Sequence, residues 1–353
     1  MEWKNDIDEN VRSGIVELLI LHLLCERDMY GYEIIKLLAS RTNGAFIMKQ
    51  ASLYGPLYRM SSRGLISSHK EMAGEKRFRM YYHIEDKGRE YLEYGKEHEK
   101  TLLFLPCTAE PEWAFADSVG LLSQDYHVMQ IVYDGHGETG EDFISVETTV
   151  DEVTDWLQQH GITNLEAAYG CSLGGACLTR FLALGKIPVK CAVIDAGITP
   201  YQMPLILRRL ACLRDFWGFS LITKSRKILE AAYPPERWTL PGCDPVKEYD
   251  ALAAYLKTYS KRTVRNIFWS ANNYVLPPKP AETGCRITYW YGDEEKKARH
   301  SNIRFIKGYF PHIRTRGIPK MDHAELVMMY PQDFYRRIME FLTHTSAAQN
   351  KRS

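Results

Sequence analysis

Gly170-Cys171-Ser172-Leu173-Gly174 is the stretch on which the reading of this chain turns, a G-x-S-x-G pentapeptide. Thr163 to Tyr169 ahead of it carries enough apolar residues for a strand, and Gly175 to Ala183 behind it reads as a helix. A serine at a tight strand-to-helix turn has its hydroxyl held clear of the sheet, and glycines at 170 and 174 leave room for that turn. Gly175 and Ala176 extend the small-residue run, so the new helix can approach its neighbours closely. Five letters also occur by chance in loops, so the surrounding pattern has to carry the argument.

Upstream, Thr101 to Leu105 is a short apolar strand that stops at Pro106, and Glu112 to Gln124 reads as helix. Tyr126 to Tyr133 is a second strand, emptying into Asp134-Gly135-His136-Gly137-Glu138, and Val150 to Gln159 is helical. Downstream, Val189 to Ile194 is a strand ending at Asp195, Arg286 to Tyr291 is another, and Pro331 to Thr343 is a final helix. Short, near-continuously apolar strands alternating with helices predict a mostly parallel sheet covered on both faces. Thr199 to Tyr274 is too long for a simple crossover, and its content is helical and aromatic: 201–216, 219–233, 245–259 and 263–274. Met203, Leu207, Leu210, Phe216, Trp217, Phe219 and Trp269 offer much apolar surface there. The segment of about 199–276 is expected to form a helical lid above the carboxyl ends of the strands, where ligands bind in such folds. Part of it is alternatively a subunit surface.

From about residue 101 to 345 the chain resembles the α/β-hydrolase superfamily. The resemblance rests on TLLFLP at 101–106, YDGHGET at 133–139, GCSLGG at 170–175, GDEE at 292–295 and MDHAEL at 321–326, in that order. It implies a nucleophile–acid–histidine set: Ser172 as nucleophile, Asp293 as acid and His323 as base. Asp195, at the end of its strand, is the alternative acid, and Glu294 a near neighbour. His136 reads as structural, His300 and His312 as surface residues, and Asp322 as a residue that steers the histidine loop. The backbone N–H of Leu173 and that of Cys107 or Thr108 are the implied oxyanion donors.

The first hundred residues have a different character. Val11 to Leu24, Glu33 to Arg41 and Ala51 to Arg63 read as helices, with Tyr32, Ile34, Ile35 and Leu38 packing the second and Leu53, Leu57 and Met60 facing inward on the third. Leu65-Ile66 begins a strand, Arg79 to Ile84 is its partner, and the charged segment 70–77 is the hairpin tip. Lys87 to Lys100 reads as a charged helix. Three helices and a hairpin make a winged helix-turn-helix. Between Lys36 and Arg79 there are nine Lys or Arg and two acids, the balance of a nucleic-acid face. Residues 11–95 resemble the PadR-like transcriptional regulators through GIVELLILHLL at 14–24, MYGYEI at 29–34, SLYGPLYRMSSRGLI at 52–66 and YYHIEDKGREYL at 81–92. The resemblance implies double-stranded DNA binding as a homodimer, with Lys49, Gln50, Tyr54, Tyr58 and Arg59 on the recognition helix and Lys76 and Arg77 on the wing.

The expected architecture is therefore a winged helix-turn-helix over residues 1–100 and an α/β-hydrolase domain over 101–353. With 353 residues, 45% hydrophobic and 25% charged, the chain has an ordinary globular composition, and its net charge of +1 points to no partner. The eight scattered cysteines form no C-x-x-C and read as free thiols of a cytoplasmic protein. No apolar run reaches membrane-spanning length, and neither metal nor organic cofactor is expected. The expected function is a serine hydrolase for a small or medium, mostly apolar ester, thioester, lactone or amide, joined to a DNA-binding regulator. The alternative is a ligand-sensing regulator whose hydrolase-like domain turns over little.

Overall fold

The computed structural model describes residues 16, 19–25, 27–42, 48, 50–62, 64–72, 78–85, 95, 98–137, 141–240 and 243–343. The chain divides into two compact units, one of residues 1–94 and 242–251, the other of 95–241 and 252–353.

In the first unit, α1 (19–25), β1 (Met29–Tyr30), α2 (Gly31–Arg41), α3 (Gln50–Ser62), β2 (Ile66–Met72) and β3 (Phe78–Ile84) follow one another. The strands form an antiparallel sheet in the order β1-β3-β2, with Ile66 opposite Ile84 and Met72 opposite Phe78. Leu53, Leu57 and Met60 recur at helical spacing and are buried with Ile20, Leu24, Ile34 and Leu38. Gly64, at φ 71°, sits just past α3, and the Leu65 N–H donates to the Met60 carbonyl at 2.9 Å. That left-handed glycine closes the helix as the sequence suggested. One packing expectation fails: Tyr32 is 62% exposed. Ile34 and Leu38, four apart, define the buried stripe of α2, and a residue two positions from Ile34 points the other way. Of the hairpin tip expected at 70–77, residues 70–72 belong to β2; the rest, and most of the helix expected at 87–100, lie outside the described residues.

The second unit is built on six strands in the order β5-β4-β6-β7-β8-β9: β4 (Thr101–Leu105), β5 (His127–Gln130), β6 (Leu165–Cys171), β7 (Val189–Asp195), β8 (Arg286–Gly292) and β9 (Arg314–Ile318). Every pair is parallel. All five residues of β4 are buried, as are six of seven in both β6 and β7, the signature of a sheet with both faces covered. The crossovers carry α4 (Ala116–Leu122), α5 (Val146–Gln159, capped by the Ser145 hydroxyl) and α6 (Leu173–Leu184). Between β7 and β8 lies a helical insertion, of which 242–251 are counted with the first unit: α7 (Leu205–Lys224), α8 (Arg226–Ala232), α9 (Pro235–Trp238), α10 (Pro245–Lys257) and α11 (Lys261–Ala271). The sequence suggested a break near Trp217-Gly218, but α7 runs through it as one helix of 20 residues. Helices α12 (Lys296–Tyr309), α13 (Glu325–Met329) and α14 (Pro331–Thr343) complete the unit.

Register places the chemistry. Leu105 pairs with Gly170, Cys171 with Asp195, Asp195 with Trp290, and Gly292 with Ile318. The carboxyl ends of four neighbouring strands thus present the loop after Leu105, Ser172, Asp195 and the acid turn 293–295 side by side. Among the described residues no helix is long and apolar enough to cross a membrane.

Candidate active site

Ser172 bridges β6 and α6 with φ 54° and ψ −109°, a backbone conformation that a non-glycine residue adopts only under constraint. The constraint is visible on both sides. Its N–H donates to the Asp195 carbonyl at 2.9 Å, and its own carbonyl accepts from Ala176 N at 3.1 Å. A Cβ on Gly170 would lie 2.4 Å from the Gly174 carbonyl oxygen, and one on Gly174 would lie 2.0 Å from that of Leu105. No side chain fits at either position, so the two glycines are what let strand, turn and helix close on the serine.

His323 lies in the loop between β9 and α13, and its Nδ1 is 2.9 Å from Glu295 Oε2. An ionised carboxylate only accepts, so the proton sits on Nδ1 and Nε2 is left to receive one. Glu295 is 7% exposed. It also accepts from the Gly292 N–H at 3.3 Å and lies 3.0 Å from Arg299 Nε. Burial pushes its carboxyl up, but the His323 hydrogen bond and charge, the Arg299 charge and the Gly292 N–H together hold it below the usual range. It is therefore ionised at neutral pH and oriented at the imidazole.

The acid is where sequence and structure part. Asp293 is exposed, and its Oδ1 lies beside Gly317, where a Cβ would come within 2.2 Å of it. Glu294 bonds Arg237 Nη1 at 2.7 Å. Asp195 accepts from the Tyr169 hydroxyl at 2.7 Å. None of the three reaches His323; Glu295 does. After Gly292 the chain turns, and of three successive acids only the third, at the start of α12, points back beneath the histidine loop. The run Asp293-Glu294-Glu295 announces an acid turn but not which member faces inward.

The histidine loop is itself braced. The Asp322 N–H donates to Glu325 Oε2 at 2.7 Å, and the His323 N–H to Asp322 Oδ1 at 2.7 Å. Glu325 is 2% exposed. Arg237, on α9 of the insertion, grips it with Nε on Oε1 at 2.8 Å and Nη2 on Oε2 at 2.6 Å. This two-point bond joins the insertion to the loop that carries His323. Sequence reading missed Glu325 and Arg237, whose partners lie 88 residues apart. The Ser172 hydroxyl and His323 make no hydrogen bond in this structure, and such contacts tighten in substrate complexes.

Opposite the elbow, the loop 106–110 is held from several directions. Tyr133 Oη donates to the Pro106 carbonyl at 2.9 Å, and the Ala109 N–H donates to Tyr259 Oη at 3.2 Å. His136 Nδ1 is 3.2 Å from the Asp134 carbonyl and its Nε2 2.8 Å from Thr108 Oγ1. Burial pushes His136 down to about 4, against a smaller opposing effect of the Asp134 carbonyl. The ring is therefore neutral, its Nδ1–H donates to Asp134, and Nε2 accepts from Thr108. Cys107 is 4% exposed; the hydrogen bond that the neighbouring Cys171 thiol donates to it, with burial, pushes Cys171 well up. Its side chain is thus turned to another thiol.

In the first unit, Tyr54 is 53% and Tyr58 76% exposed, and Arg59 is exposed beside them on the outer face of α3. Lys49, Lys76, Arg77 and the side chain of Gln50 lie outside the described residues.

A buried parallel sheet, a serine on a strained elbow and a histidine–carboxylate pair after the last strands fit one family, and residues 102–337 match the alpha/beta hydrolase family. The chain belongs to that family. Residues 20–94 match the transcriptional regulator PadR-like family, so this alpha/beta hydrolase carries a PadR-like winged helix at its amino-terminal side. Among solved structures it is similar to MenH from S. aureus, at 15% identity and TM-score 0.53 over 70% of this chain and 94% of that one. It is similar also to a carboxylesterase from Nitrososphaera gargenis, at 15% identity and TM-score 0.52 over 80% and 96%. A third is carboxylesterase CesB from Bacillus subtilis, at 13% identity and TM-score 0.50 over 81% and 97%. At these identities the likeness is one of fold. An uncharacterized protein of Lysinibacillus sphaericus is 33% identical over 86 residues, 24% of this chain and 79% of that protein.

Proposed function

We propose that this alpha/beta hydrolase is a serine hydrolase acting on a mostly apolar ester, thioester, lactone or amide, and that its winged helix binds DNA. The observation that carries the reading is the 2.9 Å contact between His323 Nδ1 and Glu295 Oε2, set after β8 and β9, two and three strands along the sheet from the strand that ends at Ser172. Ser172 Oγ attacks the carbonyl carbon while His323 Nε2 takes its proton. Glu295 stabilises the imidazolium. The oxyanion is met by the N–H groups of Leu173 and of Cys107 or Thr108, on the loop that Tyr133, His136 and Tyr259 hold in place. Losing one such donor costs about 3 kcal/mol of transition-state stabilisation. Collapse expels the alkoxide, thiolate or amine, which takes the proton back from His323. Water, deprotonated by His323, then releases the acyl group from Ser172.

The helical insertion 199–276 serves in this reading as the lid of the acyl pocket. Tyr54, Tyr58 and Arg59, with Lys49, Gln50, Lys76 and Arg77, serve as the DNA-contacting set of a cytoplasmic homodimer. Labelling with a fluorophosphonate tests the chemistry: wild type reacts, Ser172→Ala does not, and a series of acyl esters of increasing length then ranks substrates. A folded wild type that stays unlabelled would instead support a ligand-sensing regulator with little turnover. That second reading draws on the unmade bond between Ser172 and His323.

A further inference from the structure

Helix α7 is apolar on the wrong side. Its inward face holds Cys212, which is buried, with Asp215 and Phe219 half-buried. Its outward face should then be polar. Instead Ile206 is 73% exposed, Leu210 57%, Leu213 52%, Trp217 57% and Leu221 53%, with Leu205 and Leu207 at 52% and 50% beside them. Together these side chains expose more than the roughly 300–600 Å² apolar patch of a typical monomer, and approach the roughly 800 Å² that each partner of a standard interface buries. No charged residue interrupts the stripe.

The spacing of Ile206, Leu210, Leu213 and Trp217 is four, three, four, the alternation of a two-helix seam. We propose that the outer face of α7 is the surface through which two copies of this chain pair, with the helices antiparallel. The reversed pairing is self-consistent: Ile206 stacks on Trp217 of the second copy and Leu210 on its Leu213, each layer occurring twice about a two-fold axis between residues 211 and 212. Charge selects this direction. A parallel, in-register pair would bring Arg209 of one copy against Arg214 of the other at every flank. The antiparallel pair puts Arg209 over Phe216 of the second copy and Leu207 beside its Arg214, whose charge Asp215 already meets at 2.7 Å. This assignment rests on the homodimer proposed above and is independent of the hydrolase chemistry.

Sedimentation velocity of the full chain across a wide concentration range tests it, comparing wild type with Leu210→Glu/Leu213→Glu. The expected result is a wild-type dimer and a folded, monomeric variant, its dissociation constant raised roughly 10²-fold or more. A wild-type dimer that the double substitution leaves intact overturns the surface while leaving the homodimer standing. A wild type that is monomeric throughout overturns both. Should the charged variant misfold, oxidation of mixed Leu210→Cys and Leu213→Cys proteins decides instead. A disulfide-linked dimer in higher yield from the mixture than from either protein alone, or from wild type, supports the antiparallel seam; equal yields overturn it.

Discussion

Helices α6 and α7 follow successive strands, are similarly rich in apolar residues, and are opposite in burial. Ten of the twelve residues of α6 are buried, whereas Cys212 is the one buried residue among the twenty of α7. The difference lies in what surrounds them. Helix α6 leaves the elbow between β4, β6 and α5, with Gly174 against the Leu105 carbonyl and Gly175 against Gly197. Helix α7 packs along one side on α11 and meets solvent along the other. A helix that sets the position of Ser172 is fixed by the chain's own sheet. A helix of the insertion keeps an apolar face for something else. Changes on the sheet side should therefore cost catalysis or stability, and changes on the outer face of the insertion should cost the monomer little.

The sharpest break between the two sides is expected at the acid. Glu295→Gln removes the charge that holds the His323 tautomer and should lower kcat/KM of an ester substrate roughly 10²–10⁴-fold. Asp293→Asn, on the exposed neighbour, should change it by less than about 3-fold. A steady-state comparison in which Asp293→Asn is the damaging change would return the acid to the position the sequence first suggested. Next comes packing. Leu178, fully buried on α6, should cost about 2–5 kcal/mol on truncation to Ala. Leu221→Gln, on the outer face of α7 and outside the four pairing layers, should stay within about 0.5 kcal/mol. Urea unfolding of the two variants checks both, and equal losses would erase the contrast.

What the sequence disclosed follows the same division. Strands β4, β7 and β8 and helix α14 stand within one residue of their expected bounds, because near-continuous apolar runs and helical spacing in a closed layer leave few alternatives. The elbow was legible because glycines at 170 and 174 are demanded by backbone contacts under 2.5 Å. Glu295 was not, since which of three consecutive acids turns inward depends on the turn after Gly292, on Arg299 one helical turn on, and on His323, 28 residues away. Nor was the continuity of α7, where Trp217-Gly218 reads as a break but solvent on one side lets the helix run on. Tyr32 misled for a related reason: an aromatic two positions from Ile34 looks like core until the phase of the buried stripe is known.

Arg237 joins the two sides, and its loss should be felt on both. Arg237→Ala leaves the Glu325 carboxylate, 2% exposed, without its two-point partner and loosens the loop behind His323. The expectation is a loss of about 2 kcal/mol in stability, as for hydrogen bonds to a charged group, and about tenfold in kcat. A positioning role predicts that Arg237→Ala/Glu325→Gln, which removes both charges, recovers part of the stability without recovering the rate. Recovery of both in a double-mutant cycle would make Arg237 merely a structural clasp.

The last expected effect is a pH slope beneath the elbow. Burial pushes the Asp195 carboxyl up to about 6, aided by the Glu295 charge and opposed by the Tyr169 hydroxyl and the His323 charge. A carboxyl whose folded pKa lies above its ordinary value binds its proton more tightly in the folded state. The resulting stability is full below about pH 4 and is lost as pH rises through about 6. The carboxylate then stands at neutral pH as a penalty of roughly 2–3 kcal/mol. His136, pushed by burial to about 4, works the other way, since its neutral ring loses stability as pH falls from about 6.5 toward 4. In the wild type the two slopes offset each other across that window. Asp195→Asn keeps an acceptor for Tyr169 and removes one slope. Its urea midpoint should therefore climb more steeply between about pH 4.5 and about pH 6.5 than that of the wild type. Parallel curves for the two proteins would mean that Asp195 keeps its charge under the serine throughout, and that the sheet side of the site tolerates a buried carboxylate without the penalty its burial implies.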